Sequence, residues 1–369
     1  MASPDGPKPD RAPMSQSRWQ ALWLVHSRQR GWLACLLWPI SLVYGGLMAL
    51  RRGLYALGVF KTHRITVPVI VIGNVVVGGA GKTPTVIAVV NHLRNHGWRP
   101  GVVSRGHGRH STDVVDVRPD TPPQDSGDEP ALIQRRTGVP VHVAASRVAA
   151  ANTLVDAYPE VNIIVCDDGL QHWALHRDLQ IIVFDERGTG NGWLLPAGLL
   201  REAWPRNAGS SPRTDLVLHQ HREDAPTPQR LSAPGATLFS ATRRLAAHAV
   251  GPAGELMPLH ELRTHRLTAV AGIARPSVFF NMLHAAGLQP EQEVGLPDHA
   301  DAAAYTALIQ DPARTLLCTE KDAVKLFPLL AQVPSIRRAQ AWAVPLEMTP
   351  DPAFFSALDQ RLQHLRRKP

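Results

Sequence analysis

The run VIVIGNVVVGGAGKTP, residues 69–84, decides how the chain folds. TVPVIVIGN (66–74) is too short for a helix and too uniformly apolar for a strand with one wet face. It predicts a buried strand of a parallel sheet. Gly78, Gly79 and Gly81 follow at once, and a helical pattern runs from Lys82 to about His96. Strand, glycine turn, helix is an order that lets backbone N–H groups curl around a phosphate. Gly78, Gly79, Ala80, Gly81, Lys82, Thr83 and Pro84 therefore read as a nucleotide phosphate loop. Lys82 supplies a point charge for the β and γ phosphates, and Thr83 offers a hydroxyl to Mg²⁺. The strict pattern asks for glycine five positions before Gly81, where this chain has Val76.

Strand and helix keep alternating beyond the loop. Strands are expected at 101–103, 139–144, 162–168 (NIIVCDD), 179–185 (LQIIVFD) and 214–220 (TDLVLHQ), with a helix over 145–157. This is the pattern of an α/β fold with a mostly parallel sheet, assigned to 61–220. Residues 221–262 lose periodicity and read as a linker or ribbon. A second, smaller α/β domain is expected over 263–369. It has strands at LTAVAGIARP (267–276), RTLLCTEKD (314–322, entering a helix) and AWAVPLEM (341–348), and helices near 277–286, 300–310 and 351–366.

Asp167 and Asp168 close the run NIIVCDD, at the carboxyl end of a predicted strand, where open α/β sheets bind ligands. One of them is expected to hold Mg²⁺. Asp128 and Glu129 lie in GDEP, in a loop-rich stretch after SRGHGR, and His299 lies in PDHAD. A carboxylate partnered to a histidine can take the proton of an attacking hydroxyl. The residues alone leave open which acid does so.

The 369 residues are 44% apolar and 19% charged, which excludes wholesale disorder. The net charge is +8, yet residues 1–66 carry nine Lys and Arg against Asp5 and Asp10, leaving the rest near neutral. A nucleic-acid-binding protein would carry that charge on its folded body. Here it flanks the uncharged run Gly31–Leu50, whose twenty residues would span roughly 30 Å as a helix, about one hydrocarbon core. Trp19, Trp23, Trp32 and Trp38 crowd its amino side, as interfacial aromatics do, and Pro39 sits inside it. Residues 16–60 read as an anchor region, spanning or deeply embedded, beside an anionic membrane surface, and residues 1–15 as disordered. Cys35, Cys166 and Cys318 make no disulfide framework and fit a reducing compartment.

Taken in order, VIVIGNVVVGGAGKTP (69–84), VVSRGHGR (102–109), GDEP (127–130), CDDGLQH (166–172), GNGWLLPAGLLRE (190–202), AGIARPSVFF (271–280), LPDHA (296–300) and CTEKDAVKL (318–326) resemble the tetraacyldisaccharide 4'-kinase family, the lipid A kinases of Gram-negative bacteria. The resemblance implies transfer of the ATP γ-phosphate to the 4'-hydroxyl of an acylated glucosamine disaccharide 1-phosphate, giving lipid IVA. It implies a P-loop kinase domain and a smaller α/β domain on a two-stranded linker, held at the inner membrane by an amino-terminal helix, with the body on the cytoplasmic side. It assigns Asp128 as catalytic base, His299 as its dyad partner, and Asp167 and Asp168 as the metal-binding acids. Arg105, Glu129, Gln171, His172, Arg201 and Glu202 fall at cleft or substrate positions. No nucleic acid and no obligate protein partner are implied. The chain departs from the family pattern at His107, usually tyrosine, and at Leu199, often proline.

Overall fold

The computed structural model describes residues 29–109, 111–205, 215–223, 231, 236–334 and 338–366. The expected disordered segment 1–15, Trp19 and Trp23 lie outside the described residues.

A nine-stranded sheet forms the larger layer. Its strands are β1 (Val69–Gly73), β2 (Pro100–Ser104), β3 (Val115–Asp116), β4 (Val141–Val143), β5 (Ile163–Asp167), β6 (Leu179–Phe184), β7 (Asp215–Arg222), β8 (Thr237–Leu245) and β15 (Leu346–Pro350), in the order β15-β8-β7-β6-β1-β5-β2-β4-β3. Every pairing from β8 to β4 is parallel, and only the edge strands β15 and β3 run antiparallel to their neighbours. β1, β5 and β6 are buried on both faces, which accounts for their unbroken apolar sequences. A six-stranded sheet forms the smaller layer. β9 (His248–Val250), β10 (Leu256–Pro258), β11 (Leu267–Ala271), β12 (Gln292–Gly295), β13 (Thr315–Thr319) and β14 (Gln340–Val344) lie in the order β10-β9-β14-β13-β11-β12.

The helices follow the expected alternation. They are α1 (Trp32–Ala56), α2 (Lys82–Asn95), α3 (Pro123–Ser126), α4 (Asp128–Thr137), α5 (Arg147–Ala157), α6 (Pro276–Ala285), α7 (Ala303–Thr306), α8 (Glu320–Ala331) and α9 (Pro352–Arg366). Three findings differ from the sequence reading. GDEP is not loop: Asp128 is the first residue of α4, whose amino end follows Gly127 in a conformation with φ +86°. The expected helix over 300–310 is reduced to the single turn α7. AWAVPLEM is two strands, with β14 in the small sheet and β15 in the large one. The switch falls at Pro345, which has no N–H to donate to either ladder.

The sheets therefore do not divide where the sequence suggested. Within 221–262, β8 belongs to the large sheet and β9 and β10 to the small one. The carboxyl-terminal β15 and α9 return to the large sheet, beside α2. β8 and β15 pair antiparallel from Leu245↔Leu346 to Ala241↔Pro350, so the two segments that join the layers run together. Phe354 of α9 is fully buried, edge-on to Phe239 of β8 with centroids 5.7 Å apart.

Helix α1 is 25 residues, about 37 Å long at 1.5 Å per residue. Its most apolar 18-residue stretch has a mean hydropathy of 1.9, and the helix is long and apolar enough to cross a membrane. Trp32, Leu36, Leu42, Val43, Leu47 and Leu50 are exposed, as membrane association requires, while Ala34 and Ser41 are buried against the body. Ser41 Oγ donates to Leu194 O (2.9 Å) and accepts from Ala197 N (3.0 Å), and Tyr44 Oη donates to Arg201 O (2.9 Å).

Because α9 fills a groove of the large core rather than the small one, Phe354→Ala should destabilise the larger layer. The expected loss is about 3–5 kcal/mol, the usual result of emptying a buried phenylalanine site. Chemical denaturation followed by tryptophan fluorescence measures it, and a loss below about 1 kcal/mol would contradict this packing.

Candidate active site

The loop 78–83 leaves the carboxyl end of β1 and enters α2 at Lys82. Gly78 (φ +86°) and Gly81 (φ +75°) take the left-handed conformations that glycine permits. A Cβ at Gly81 would lie 2.0 Å from Gln220 Oε1, so the position has no room for a side chain. Val76 is accommodated for a specific reason. It sits in an isolated antiparallel bridge with Leu200 rather than in a positive-φ turn, so no glycine is needed there.

Three side chains hold the loop: Asn74 after β1, Arg187 after β6 and Gln220 on β7. Asn74 Nδ2 donates to Val76 O (2.6 Å) and Gly78 O (3.2 Å), and its Oδ1 accepts from Lys82 Nζ (3.3 Å). Gln220 Nε2 donates to Thr85 Oγ1 (2.6 Å) and Gly81 O (3.1 Å). Arg187 donates to Val77 O (2.9 Å) and Gly79 O (3.1 Å) while its Nε sits on the Asp185 carboxylate at 2.9 Å. Arg275, from the smaller layer, donates to the same Asp185 (2.8 Å) and to Glu186 (3.0 Å), and Arg243 also pairs with Glu186. Burial alone raises the Asp185 carboxyl, but the charges of Arg187 and Arg275 outweigh it and hold the group below the usual carboxylate range. The backbone of 194–201 closes the other side: Leu199 O accepts from Val77 N (2.9 Å), and Arg201 N donates to Val75 O (2.7 Å).

Asp167 ends β5 next to the loop. Burial pushes its carboxyl up to about 7, helped by the charges of Glu129 and Asp168 and opposed by Lys82 and a hydrogen bond from Ser104 (3.0 Å). Its Oδ1 is buried without a partner. A buried carboxylate crowded by two more acids, with one oxygen unsatisfied, fits a hard divalent cation. Asp168 takes a left-handed backbone (φ 47°), uncommon outside glycine, and lies 3.5 Å from both Lys82 Nζ and Arg201 Nη1. Burial raises its carboxyl, but Lys82, Arg201 and Arg147 together lower it further.

Asp128 and His299 come from different layers and meet. Gly106 and Gly127 pack so closely that a Cβ on Gly127 would lie 3.0 Å from the Gly106 backbone, which draws SRGHGR against the start of α4. From the other side His299, also left-handed (φ 61°), places Nδ1 3.1 Å from Asp128 Oδ2. Lys325 Nζ donates to the same oxygen at 2.8 Å. Burial raises the Asp128 carboxyl, and the hydrogen bonds from His299 and Lys325 with the charges of Lys325 and Lys321 bring it below its ordinary value.

A cleft of about 720 Å³ runs past these groups, lined by Gly78, Lys82, Arg105, Glu129, Asp167, Asp168, Gln171, His172, Arg201 and His299. Arg51, near the end of α1, and Arg147 also line it. Burial pushes the His172 imidazole down to about 4, and Arg147, Arg177, Arg51 and Arg105 push the same way. Beside the loop an apolar pocket opens between the layers, lined by Thr83, Pro84, Ile87, Ile273, Phe279, Met282, Val344 and Leu346.

The family model for tetraacyldisaccharide-1-P 4'-kinase matches residues 33–363. The chain belongs to this family. It is a kinase of lipid A biosynthesis that uses ATP. It is 50% identical over 365 residues to a tetraacyldisaccharide 4'-kinase of Acidovorax sp. (strain JS42), covering 99% of this chain and 98% of that protein. It is 51% identical over 340 residues to that of Polaromonas naphthalenivorans (strain CJ2), covering 92% and 94%. The crystal structure of LpxK from Aquifex aeolicus in complex with ATP superposes with a TM-score of 0.74 at 25% identity, covering 89% of this chain and 99% of that one.

Of the residues expected from the sequence, Gly78, Gly79, Lys82, Arg105, Glu129, Asp167, Asp168, Gln171, His172, Arg201 and His299 line the cleft, Gly81, Thr83 and Pro84 line the apolar pocket beside it, and Asp128 lines a neighbouring pocket that shares His299 with the cleft. Ala80 is the buried residue of the loop, and Glu202 is buried as the acceptor of Gln171 Nε2 (2.6 Å), so its part is to hold Gln171. Of the departures, His107 lies with its ring 5.1 Å from that of His299 and lines the cleft, while Leu199 is wholly buried and serves through its carbonyl. The sequence reading missed Asn74, Ser104, Asp185, Arg187, Gln220, Arg275, Lys321 and Lys325. Asn74 and Asp185 each end or directly follow an apolar run, a signal that could have marked them.

Arg187 and Asp185 have side chains only 2% and 1% exposed. Arg187→Met should therefore cost about 3–5 kcal/mol, the usual cost of breaking a buried pair, and should raise the KM for ATP by releasing the loop carbonyls. Thermal unfolding and steady-state kinetics check the two effects; an unchanged KM would show that Arg187 does not shape the loop.

Proposed function

We propose that the chain phosphorylates the 4'-hydroxyl of a tetraacylated glucosamine disaccharide 1-phosphate at the cytoplasmic side of the bacterial inner membrane, forming lipid IVA. The observation that carries this reading is the Asp128–His299 pair, whose histidine lines the same cleft as the phosphate loop. A hydrolase of ATP has no need of a general base aimed at an alcohol.

The apolar pocket beside Pro84 and Ile87 suits the base of ATP, and the N–H groups of 78–83 suit its phosphates. Lys82 faces the charge that develops on the transferred group. Mg²⁺ would be held by Thr83, Asp167 and Asp168, and would supply charge neutralisation on the phosphate oxygens. Asp128 accepts the hydroxyl proton as the acceptor oxygen attacks phosphorus; the bond from phosphorus to the bridging oxygen breaks and ADP leaves. Among the described residues, both side-chain donors to Asp128 fall on Oδ2, so Oδ1 is the oxygen free to take the hydroxyl proton. His299 orients the carboxylate. Arg51, Arg105, Arg147 and Arg201 make the cleft positive, as a phosphorylated sugar requires. Arg51 comes from the anchor helix, so the acyl chains can remain in the bilayer while the sugar enters the cleft. The cytoplasmic placement follows from the need for ATP.

With ATP, Mg²⁺ and the disaccharide 1-phosphate in detergent micelles, Asp128→Asn and His299→Ala should each lower turnover by about 10²–10⁴-fold, the range for a positioned acid–base group. Chelation of Mg²⁺ should abolish turnover in the parent enzyme. Near-parent turnover in both variants would remove the dyad from the mechanism.

A further inference from the structure

Among the described residues, Lys325 makes the shortest side-chain hydrogen bond to the proposed base. It lies on α8 of the smaller layer, and α8 packs directly against α4, which starts at Asp128. Its ammonium donates to Asp128 Oδ2 (2.8 Å) and to Ala300 O (2.9 Å). Ala300 follows His299, so one cation ties the acid to the backbone turn that presents its partner. That turn needs a tie, because His299 is held at φ 61°, a left-handed conformation that residues other than glycine seldom adopt. One helical turn earlier, Lys321 donates to Asp298 Oδ1 (2.8 Å) and lies 3.4 Å from His299 Nε2.

Helix α8 is itself well fixed. Thr319 caps its amino end, and Asp322 accepts from Gly272 N (2.9 Å) and Tyr305 Oη (2.6 Å). Lys325, one turn on from Lys321, is thus delivered by a rigid element, as a group that sets geometry must be.

We propose that Lys325 is a positioning residue of the phosphoryl transfer: by bridging Asp128 Oδ2 and Ala300 O it holds the carboxylate ionised, with its second oxygen turned to the acceptor hydroxyl. The proposal rests on Asp128 being the base. The charged and titratable groups that face Asp128 are His299 and its neighbour Asp298, Lys321 and Lys325 from α8, Glu129 from α4, His107 from the SRGHGR loop and Tyr305 from α7. Lys321 is already paired with Asp298, which among the described residues leaves Lys325 as the lysine in direct contact.

The sign of the effect follows. Burial disfavours the Asp128 carboxylate, and Lys325 opposes it. Removing the ammonium raises the pKa of the base, so higher pH is needed to ionise it, and the acid limb of kcat/KM moves to higher pH.

Lys325→Met keeps length and removes charge, Lys325→Gln keeps one donor, and Lys325→Arg keeps charge. All are to be measured as full-length enzyme in micelles with thermal unfolding as the folding control. Lys325→Met should lower kcat roughly ten- to a hundredfold, the scale of an ångström-level misplacement. It should leave the KM for ATP near the parent value and shift the acid limb upward, with part of kcat restored in Lys325→Arg. If Lys325→Met does not fold, Lys325→Gln must show the same shifted limb. An unshifted limb in the folded neutral variant, whether kcat is retained or falls only with stability, overturns the proposal while Asp128→Asn remains inactive. Parent turnover in Asp128→Asn instead overturns the base assignment, and this proposal with it.

Discussion

The contact of α4 with α8 is the constraint on which the rest depends. It joins one helix from each α/β layer, and at its end a carboxylate from the larger layer meets a histidine and a lysine from the smaller. A buried ionised carboxylate is unfavourable unless its partners are placed within a few tenths of an ångström. That requirement fixes the relation of the two sheets. The switch of strands at Pro345, the β8–β15 pair, the Arg136–Glu320 ion pair and the Arg275 bridge to Asp185 and Glu186 all restrict the same relation. The Arg275 bridge continues through Arg187 to the phosphate-loop carbonyls, so the nucleotide end and the acceptor end of the cleft share one support.

The parts of this arrangement legible in the sequence are those made by local pattern. NIIVCDD and VIVIGN read as buried strands because both faces of β5 and β1 are covered, and the glycines of the loop announce themselves by spacing. The division into layers was less legible, because β15 and α9 join the larger sheet by non-local pairing that leaves no periodic trace, and a single proline carries the change of sheet. GDEP looked like loop because its helix is short and starts after a glycine. Lys325 was hidden for a different reason: a lysine on an amphipathic helix is ordinarily a solvated residue, and only the turn at His299 reveals what it faces. The two non-glycine residues with left-handed backbone among the described residues, Asp168 and His299, could not be inferred at all, since their neighbours impose that backbone.

The basic amino-terminal segment also takes on a more particular meaning. Its arginines also contact the folded body. Arg30 lies over the Trp193 ring at 5.1 Å and donates to Asn191 O, Arg52 lies over Trp173, and Arg51 lines the cleft. The same helix uses Ser41 and Tyr44 to grip the 194–201 segment, whose backbone bonds to the phosphate loop. The apolar helix and the phosphate loop are therefore linked through the 194–201 segment.

The most direct test of the account is the position of the transferred phosphate. The lipid product formed from ATP and tetraacyldisaccharide 1-phosphate can be resolved by ³¹P NMR with proton correlation. The account predicts a second phosphomonoester coupled to the 4' proton, formed one for one with ADP. Release of inorganic phosphate with the lipid unchanged, or phosphate at any other hydroxyl, would contradict it.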